Sequence, residues 1–322
     1  MKKAVIVGLV SAALAGCGGS DSSDSNGTGT FSLAFSDAPV DGLSKVCVAF
    51  DQISVHHVNG GESSWGTTSF AADQSSPECV PEDLTIPSDS NGNPDFMVIN
   101  LMAYQGNHSQ QVLSDELMES GKYTQMRLSV LEKGTYSDGT PYSHVEETDT
   151  ENKEGIRVPS GELKLDGFDV VADATQAYTL EFDLRKSMVQ NANGYQLKPR
   201  GVRLVNNENV AAIDGTVSSV ACNDYTTNNI NDAFVYVYPA STDDHGDLGS
   251  EFEPYTSVAV AVDPLTQNGS FNVGYVPFGT YDLALVCNGS EDHPEIGDDQ
   301  LEIADPIQQD LILSTTGLTV SF

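Results

Sequence analysis

Tyr178-Thr179-Leu180-Glu181-Phe182-Asp183-Leu184 is the stretch from which the fold is read. Tyr178, Leu180, Phe182 and Leu184 alternate with Thr179, Glu181 and Asp183. Successive side chains of an extended chain point to opposite faces, so this is a strand with one face in a core. Residues 123–131 repeat the pattern, with Met126, Leu128 and Val130 inward and Gln125, Arg127 and Ser129 outward. Phe31, Leu33 and Phe35 make an earlier strand. Val46, Val48 and Phe50 share one face of the next, with Cys47 and Ala49 on the other, and Ile53, Val55 and Val58 continue it past a bend near Asp51. Residues 96–101 and 195–205 add two more, the last interrupted by Pro199 and so bent or at an edge. The one expected helix is 109–119, with Val112, Leu113 and Leu117 on one side and Gly121 breaking the pattern. Many short strands with little helix predict antiparallel sandwiches or barrels.

A break at 206–209 opens a second set of strands near Ile213. Strands are expected at 233–238, 257–262, 281–287 and 311–322, with Asn268-Gly269 as a tight turn into Phe271 and Val273. The expected fold class is therefore all-β: two antiparallel β-sandwich domains, 31–206 and 210–322, on a flexible lipidated tether.

The tether is read from the start of the chain. Lys2 and Lys3 precede an apolar run over 4–14, too short to span a bilayer but suited to a secretory signal. Leu14-Ala15-Gly16-Cys17 then resembles the cleavage box of bacterial lipoproteins. That resemblance implies a signal peptide over 1–16, a lipidated Cys17 and a membrane partner through the lipid anchor. Gly18 after the cysteine favours the outer membrane. The alternative is an ordinary secretory signal with a chance cysteine. Residues 17–30, dominated by Gly, Ser, Asp and Thr, cannot bury a core and form the tether.

The 322 residues carry a formal charge of -33. Without Lys2 and Lys3 the chain has 12 basic against 47 acidic side chains, a net -35. Such a surface repels nucleic acid and anionic head groups. It is a solvated acidic surface or one that holds divalent cations. Besides Cys17 there are Cys47, Cys79, Cys222 and Cys287. An even number in an exported chain points to disulfides, and four cysteines allow three connectivities. The domain division favours Cys47–Cys79 and Cys222–Cys287. A metal site lacks any close Cys-x-x-Cys pair.

Residues 31–205 resemble the bacterial family called domain of unknown function 4382. The matching residues are Ser36-Asp37-Ala38-Pro39, Gly121-Lys122-Tyr123-Thr124-Gln125-Met126-Arg127-Leu128, Val158-Pro159-Ser160-Gly161, Phe182-Asp183-Leu184-Arg185-Lys186-Ser187 and Leu197-Lys198-Pro199. The resemblance implies an exported β domain, commonly on a lipoprotein, and brings no activity. Residues 213–322 look like transthyretin-like, carboxypeptidase-regulatory and starch-binding-like sandwiches. This rests on Gly215-Thr216-Val217, Ala233-Phe234-Val235-Tyr236-Val237, Gly269-Ser270-Phe271 and Val276-Pro277-Phe278-Gly279-Thr280-Tyr281. It implies a non-catalytic module, with glycan binding by analogy.

Among candidate binding residues, Asp183 and Arg185 alternate at a strand end and so would share a face. Asp37, at another strand end, would meet Arg185 in a charge-assisted pair. That set is a ligand-binding pole or a buried pair that fixes a turn. Trp65, the only tryptophan, lies in a Gly- and Ser-flanked loop, where it would stack on a sugar, anchor a partner or cover the core beneath its own loop. Asp89, Asn91, Asn93 and Asp95 repeat an oxygen ligand every second residue, like the front of a calcium loop. Pro94 and Asn100 replace the glycine and glutamate that such a loop needs. Asp243, Asp244, Asp247 and Glu251 form a second acidic loop with the same ambiguity. His56 and His57 are adjacent and face opposite sides of a strand, so they cannot chelate together. No catalytic signature is present, and no cofactor is expected beyond calcium. The expected function is a non-catalytic binding or adhesion module of the cell envelope, with carbohydrate the leading ligand. The alternatives are an assembly lipoprotein that binds another envelope protein, with strand addition at a sheet edge as one mode, and a hydrolase using an acid pair.

Overall fold

A computed structural model describes residues 27–322 except 39, 41, 72–73, 241–243 and 298–299. The expected signal peptide, Cys17 and most of the tether lie outside the described residues. The first half runs β1 (Thr28–Ala38), β2 (Leu43–His57), β3 (Glu62–Gly66), β4 (Met97–Asn100), β5 (Gln110–Glu119), β6 (Gly121–Val130), β7 (His144–Glu147), β8 (Lys153–Arg157), β9 (Glu162–Leu165), β10 (Phe168–Val170), β11 (Thr175–Asp183), a short helix α1 (Leu184–Ser187), β12 (Met188–Asn191), β13 (Gly194–Leu197) and β14 (Val202–Asn206). The second runs β15 (Val210–Val217), β16 (Phe234–Pro239), β17 (Thr256–Ala259), β18 (Ala261–Val262), β19 (Gly269–Pro277), β20 (Gly279–Val286), β21 (Gln308–Leu313) and β22 (Leu318–Ser321).

In the first half a sheet ordered β14-β11-β1-β5 faces a ten-stranded sheet, β10-β6-β2-β7-β8-β13-β12 with β3, β4 and β9 attached. Phe35 of β1 meets Phe50 of β2 across the layers at 5.2 Å between ring centres. Phe31, Leu33, Val48, Leu128, Leu180 and Phe182 fill the same core. Each such side chain contributes roughly 1.5–3 kcal/mol by burial. In the second half β18-β19-β15-β22 faces β17-β16-β20-β21 over Ile213, Val235, Val237, Phe271, Leu283 and Leu285. The chain is thus all-β and built of facing sheets. Most pairs are antiparallel, but β1 and β11, β8 and β13, and β15 and β22 run parallel.

The expected helix over 109–119 is instead strand β5, paired with β1. The pairing slips twice, between Phe31 and Leu33 and between Leu33 and Ala34. Asp115 sits at φ +53, its N–H bonded to Ser32 Oγ at 2.9 Å. Extra residues at bulges break the period of two, so Val112, Leu113 and Leu117 mimic a helical stripe. Leu117 is 75% exposed, which a helix packed on that stripe would not allow. The expected bend near Asp51 is a register shift between Phe50 and Gln52 within one long strand. β1 begins at Thr28, inside the stretch expected as tether.

Cys47 is joined to Cys79 and Cys222 to Cys287, each with Cα atoms 5.7 Å apart. The first bond staples the long excursion after β3 to the outer face of β2. There Cys47, Ala49, Cys79, Phe96, Val98 and Tyr136 form a small core of their own. Among the described residues no helix is long and apolar enough to cross a membrane.

Candidate functional site

The alternation that began at Tyr178 ends at Asp183. This residue closes β11 and caps α1, accepting the Lys186 N–H at 3.3 Å. Ser187 Oγ donates to the Asp183 carbonyl at 2.8 Å. Gly201, at φ +82, donates no side chain to this corner: a Cβ there would lie 2.6 Å from Lys186 Cβ and 3.0 Å from the Asp183 carbonyl. Helical residues advance about 100° rather than 180°, so Arg185 is turned off the face that Asp183 occupies. The expected Asp37–Arg185 pair does not form for this reason. Neither carboxylate oxygen of Asp37 has a hydrogen-bond partner.

Arg185 instead enters the second half of the chain. Its Nη1 donates to Tyr236 Oη at 3.2 Å and Ser257 Oγ at 3.1 Å. Its Nη2 donates to the carbonyls of Gly289 and Asp292. The guanidinium lies 3.9 Å over the Phe234 ring. Tyr236 in turn donates to Asp292, which also accepts the Leu248 N–H at 3.1 Å. Burial, the Asp292 carboxylate and its hydrogen bond outweigh Arg185 and push the Tyr236 hydroxyl pKa up. Lys186 Nζ reaches the Pro254 and Tyr255 carbonyls and Glu253 Oε1, the last at 3.6 Å. Arg200 pairs with Glu253, and Lys198 with Glu295 at 3.0 Å. One short run of the first half therefore supplies the cations that hold the second.

The anions of this seam are differently placed. Asp37, Glu181 and Asp183 are all buried. Asp183 accepts from Thr256 Oγ1 at 3.1 Å. Arg203 stands 3.7 Å from Glu181 Oε1 and 3.8 Å from Asp183 Oδ2, and stacks 4.3 Å over Tyr255. Glu181 Oε2 has no partner. Burial pushes Glu181 up to about 7 despite Arg203. Burial, with the charges of Asp183 and Glu181, pushes Asp37 well above the carboxylate range.

Beside the Arg185 anchor a cleft of about 650 Å³ opens between the halves. Ligand pockets typically enclose roughly 300–1,000 Å³. Leu43, Met188, Val189 and Ile296 supply apolar surface, and Glu147, Asp149, Asp292 and Glu295 supply carboxylates. Tyr195 donates to Glu147 Oε1 at 3.0 Å, and Thr150 Oγ1 to Glu147 Oε2 at 2.7 Å. Met188 and Val189 belong to β12, which ends its sheet. Ile296 is half exposed on the opposite wall.

The other expected residues lie elsewhere. Trp65 is not on a loop: it sits in β3 opposite Ile53 and is buried, with Nε1 donating to Glu116 Oε2 at 2.8 Å. The ring stacks on Phe31 and closes the core. Asp89 accepts the N–H groups of Asn91 and Asn93 at 2.8 and 2.9 Å and the Asn93 amide at 3.1 Å. These hydrogen bonds hold its carboxyl below the usual range. The alternate oxygens of 89–95 thus close a turn on themselves. Among the described residues no group of three or more His, Cys, Asp or Glu side chains is placed to hold a metal. In the second acidic loop Asp247 is buried, and residue 243 lies outside the described residues. His57 is buried edge-on to Tyr123.

Sequence reasoning missed Glu181 and Arg203 at the seam and Asp292 in the cleft wall. Glu181 shares the alternation of Asp183, and that is the signal that could have found it. Asp292 sits in a polar loop with no pattern.

The family model named Domain of unknown function (DUF4382) matches residues 28–199. Among curated proteins none matches the chain. Similar solved structures include the Bacillus anthracis TIE protein, 10% identical with a TM-score of 0.19 over 91% of this chain and 33% of that one. A leucine-rich repeat protein from Bacteroides thetaiotaomicron is 11% identical, TM-score 0.19, over 92% and 26%. A Bacteroides fragilis protein provisionally assigned to cell adhesion is 10% identical, TM-score 0.23, over 91% of each chain. The chain spans about a third and a quarter of the first two. Likenesses this distant carry no argument about function.

Proposed function

The chain belongs to the family named Domain of unknown function (DUF4382), and from that premise we propose that it is an exported, non-catalytic binding or adhesion module of the cell envelope. Its ligand site is the cleft beside Arg185. The observation that carries this reading is the cleft itself, whose walls come from both halves and combine apolar floor with converging polar groups. The titratable groups nearest it support binding rather than turnover. Arg185 and Asp292 are engaged in holding the seam, and Glu147 accepts two hydroxyls.

In this reading Cys17 tethers the module to the outer membrane. The facing sheets of 210–321 support a transthyretin-like module. An acceptor-rich cleft in an acidic chain favours uncharged or cationic ligands over anionic polymers. The test compares the chain with its Asp149→Lys/Ile296→Asp variant on glycan and peptide arrays. Both residues are exposed, so the variant is expected to fold. The expected result is a ligand class bound at least tenfold more weakly by the variant. Ligands bound equally by both proteins would place the site elsewhere.

A further inference from the structure

Resting on that reading of the cleft, we infer that its ligand is an extended, basic peptide segment of a partner protein, added as a new strand alongside β12. β12 pairs with β13 on one side and, among the described residues, with no strand on the other. An unpaired edge presents N–H and C=O groups in a row, and natural edges are commonly blunted by charge or bulges. Two other edges of this molecule are blunted in this way. β5 is bulged with Asp115 at φ +53, and β21 slips against β20 with Asp310 at φ +55. β12 is Met188-Val189-Gln190-Asn191, with neither a charge nor a positive φ. Met188, Val189 and Gln190 of this strand all line the cleft.

The cleft fits such a strand in two further ways. Side chains of an added strand alternate between two faces. One row would lie on the Met188 side of the strand and the other on the Val189 side, between the apolar surface of Leu43 and Ile296 and the carboxylates of the cleft. Glu147, Asp149 and Glu295 stand at the rim, against Lys198 paired to Glu295 and Arg185 already committed to the second half. The excess of negative charge there, in a chain of formal charge -33, selects lysine or arginine in one of the two rows.

The test measures binding of a library of eight-residue peptides that alternate Lys or Arg with Val, Leu or Tyr, capped at both ends. Expected is binding that weakens at least tenfold when Glu replaces the basic residues, and that weakens steadily with added salt. N-methylation of alternate amides should abolish it in one register and spare it in the other. Gln190→Pro should lower binding at least tenfold. If that variant unfolds, the methylated peptides still decide. Peptide binding indifferent to N-methylation in both registers, or no peptide binding, overturns strand addition. Glycan binding lost in the Asp149→Lys/Ile296→Asp variant without peptide binding also overturns it, while leaving the cleft as the ligand site. Equal behaviour of that variant toward every peptide and glycan overturns both readings.

Discussion

Arg185 and Asp37 are both buried in the seam between the two halves, but Arg185 meets a hydroxyl pair, two carbonyls and an aromatic face, whereas neither oxygen of Asp37 meets a donor. The chemistry of the two groups accounts for the contrast. A guanidinium cannot shed its charge, so its burial requires acceptors on every side. A carboxyl can take a proton and become neutral, so a buried one is tolerated without a cation of its own. The seam is therefore pinned by its cations and made pH-dependent by its anions.

Removing the pin should have the largest effect. Arg185→Ala leaves the Gly289 and Asp292 carbonyls and the Tyr236 network without their donor. The expected loss is about 3–5 kcal/mol, seen as a fall in the urea midpoint and a split of unfolding into two transitions. A single unshifted transition would show that the halves do not depend on this contact.

The anion side is broken by pH. Glu181 has a folded pKa of about 7, above its ordinary 4.5, so it holds its proton more tightly folded than unfolded. Its contribution is present below pH 4.5 and is lost as pH rises through 7. Asp37 acts in the same direction. The wild type should lose on the order of 3 kcal/mol from this group across that window. Glu181→Gln should flatten the fall, measured as urea midpoints from pH 4 to 8. An unchanged slope would mean that Glu181 titrates alike in the folded and unfolded chain.

Gly201→Ala probes the corner that aims both groups. It adds a Cβ at positive φ against Lys186 and Asp183, and should cost about 1–3 kcal/mol in the same assay. Lys198→Ala removes a half-exposed pair with Glu295 and should change stability by less than about 1 kcal/mol. A larger loss would show that the rim, and not Arg185, holds the seam.

Much of the fold was legible where residue types alternate along a strand. β1, β2, β6 and β11 carry such alternation, and their segments were expected as strands, as was β16, an apolar run buried on both faces. β5 was not, because bulges inserted residues that turned a period of two into a helical spacing. The candidate site was less legible. Asp37, Asp183 and Arg185 were picked out as a group, but the single turn of α1 sent Arg185 to the other half of the chain. Trp65 looked like a loop residue because its Gly and Ser neighbours conceal a short strand.

The sequence by itself determined the local quantities: the all-β character, the acidic composition and the candidacy of four cysteines for disulfides. Each follows from the residue types within a few positions of one another. Tertiary structure alone decided which charges are buried together, which strand edge stays open and where a cleft forms. Those depend on how separate stretches approach in space. Asp37 next to Glu181, or Met188 across from Ile296, leaves no trace in the spacing of residues along the chain.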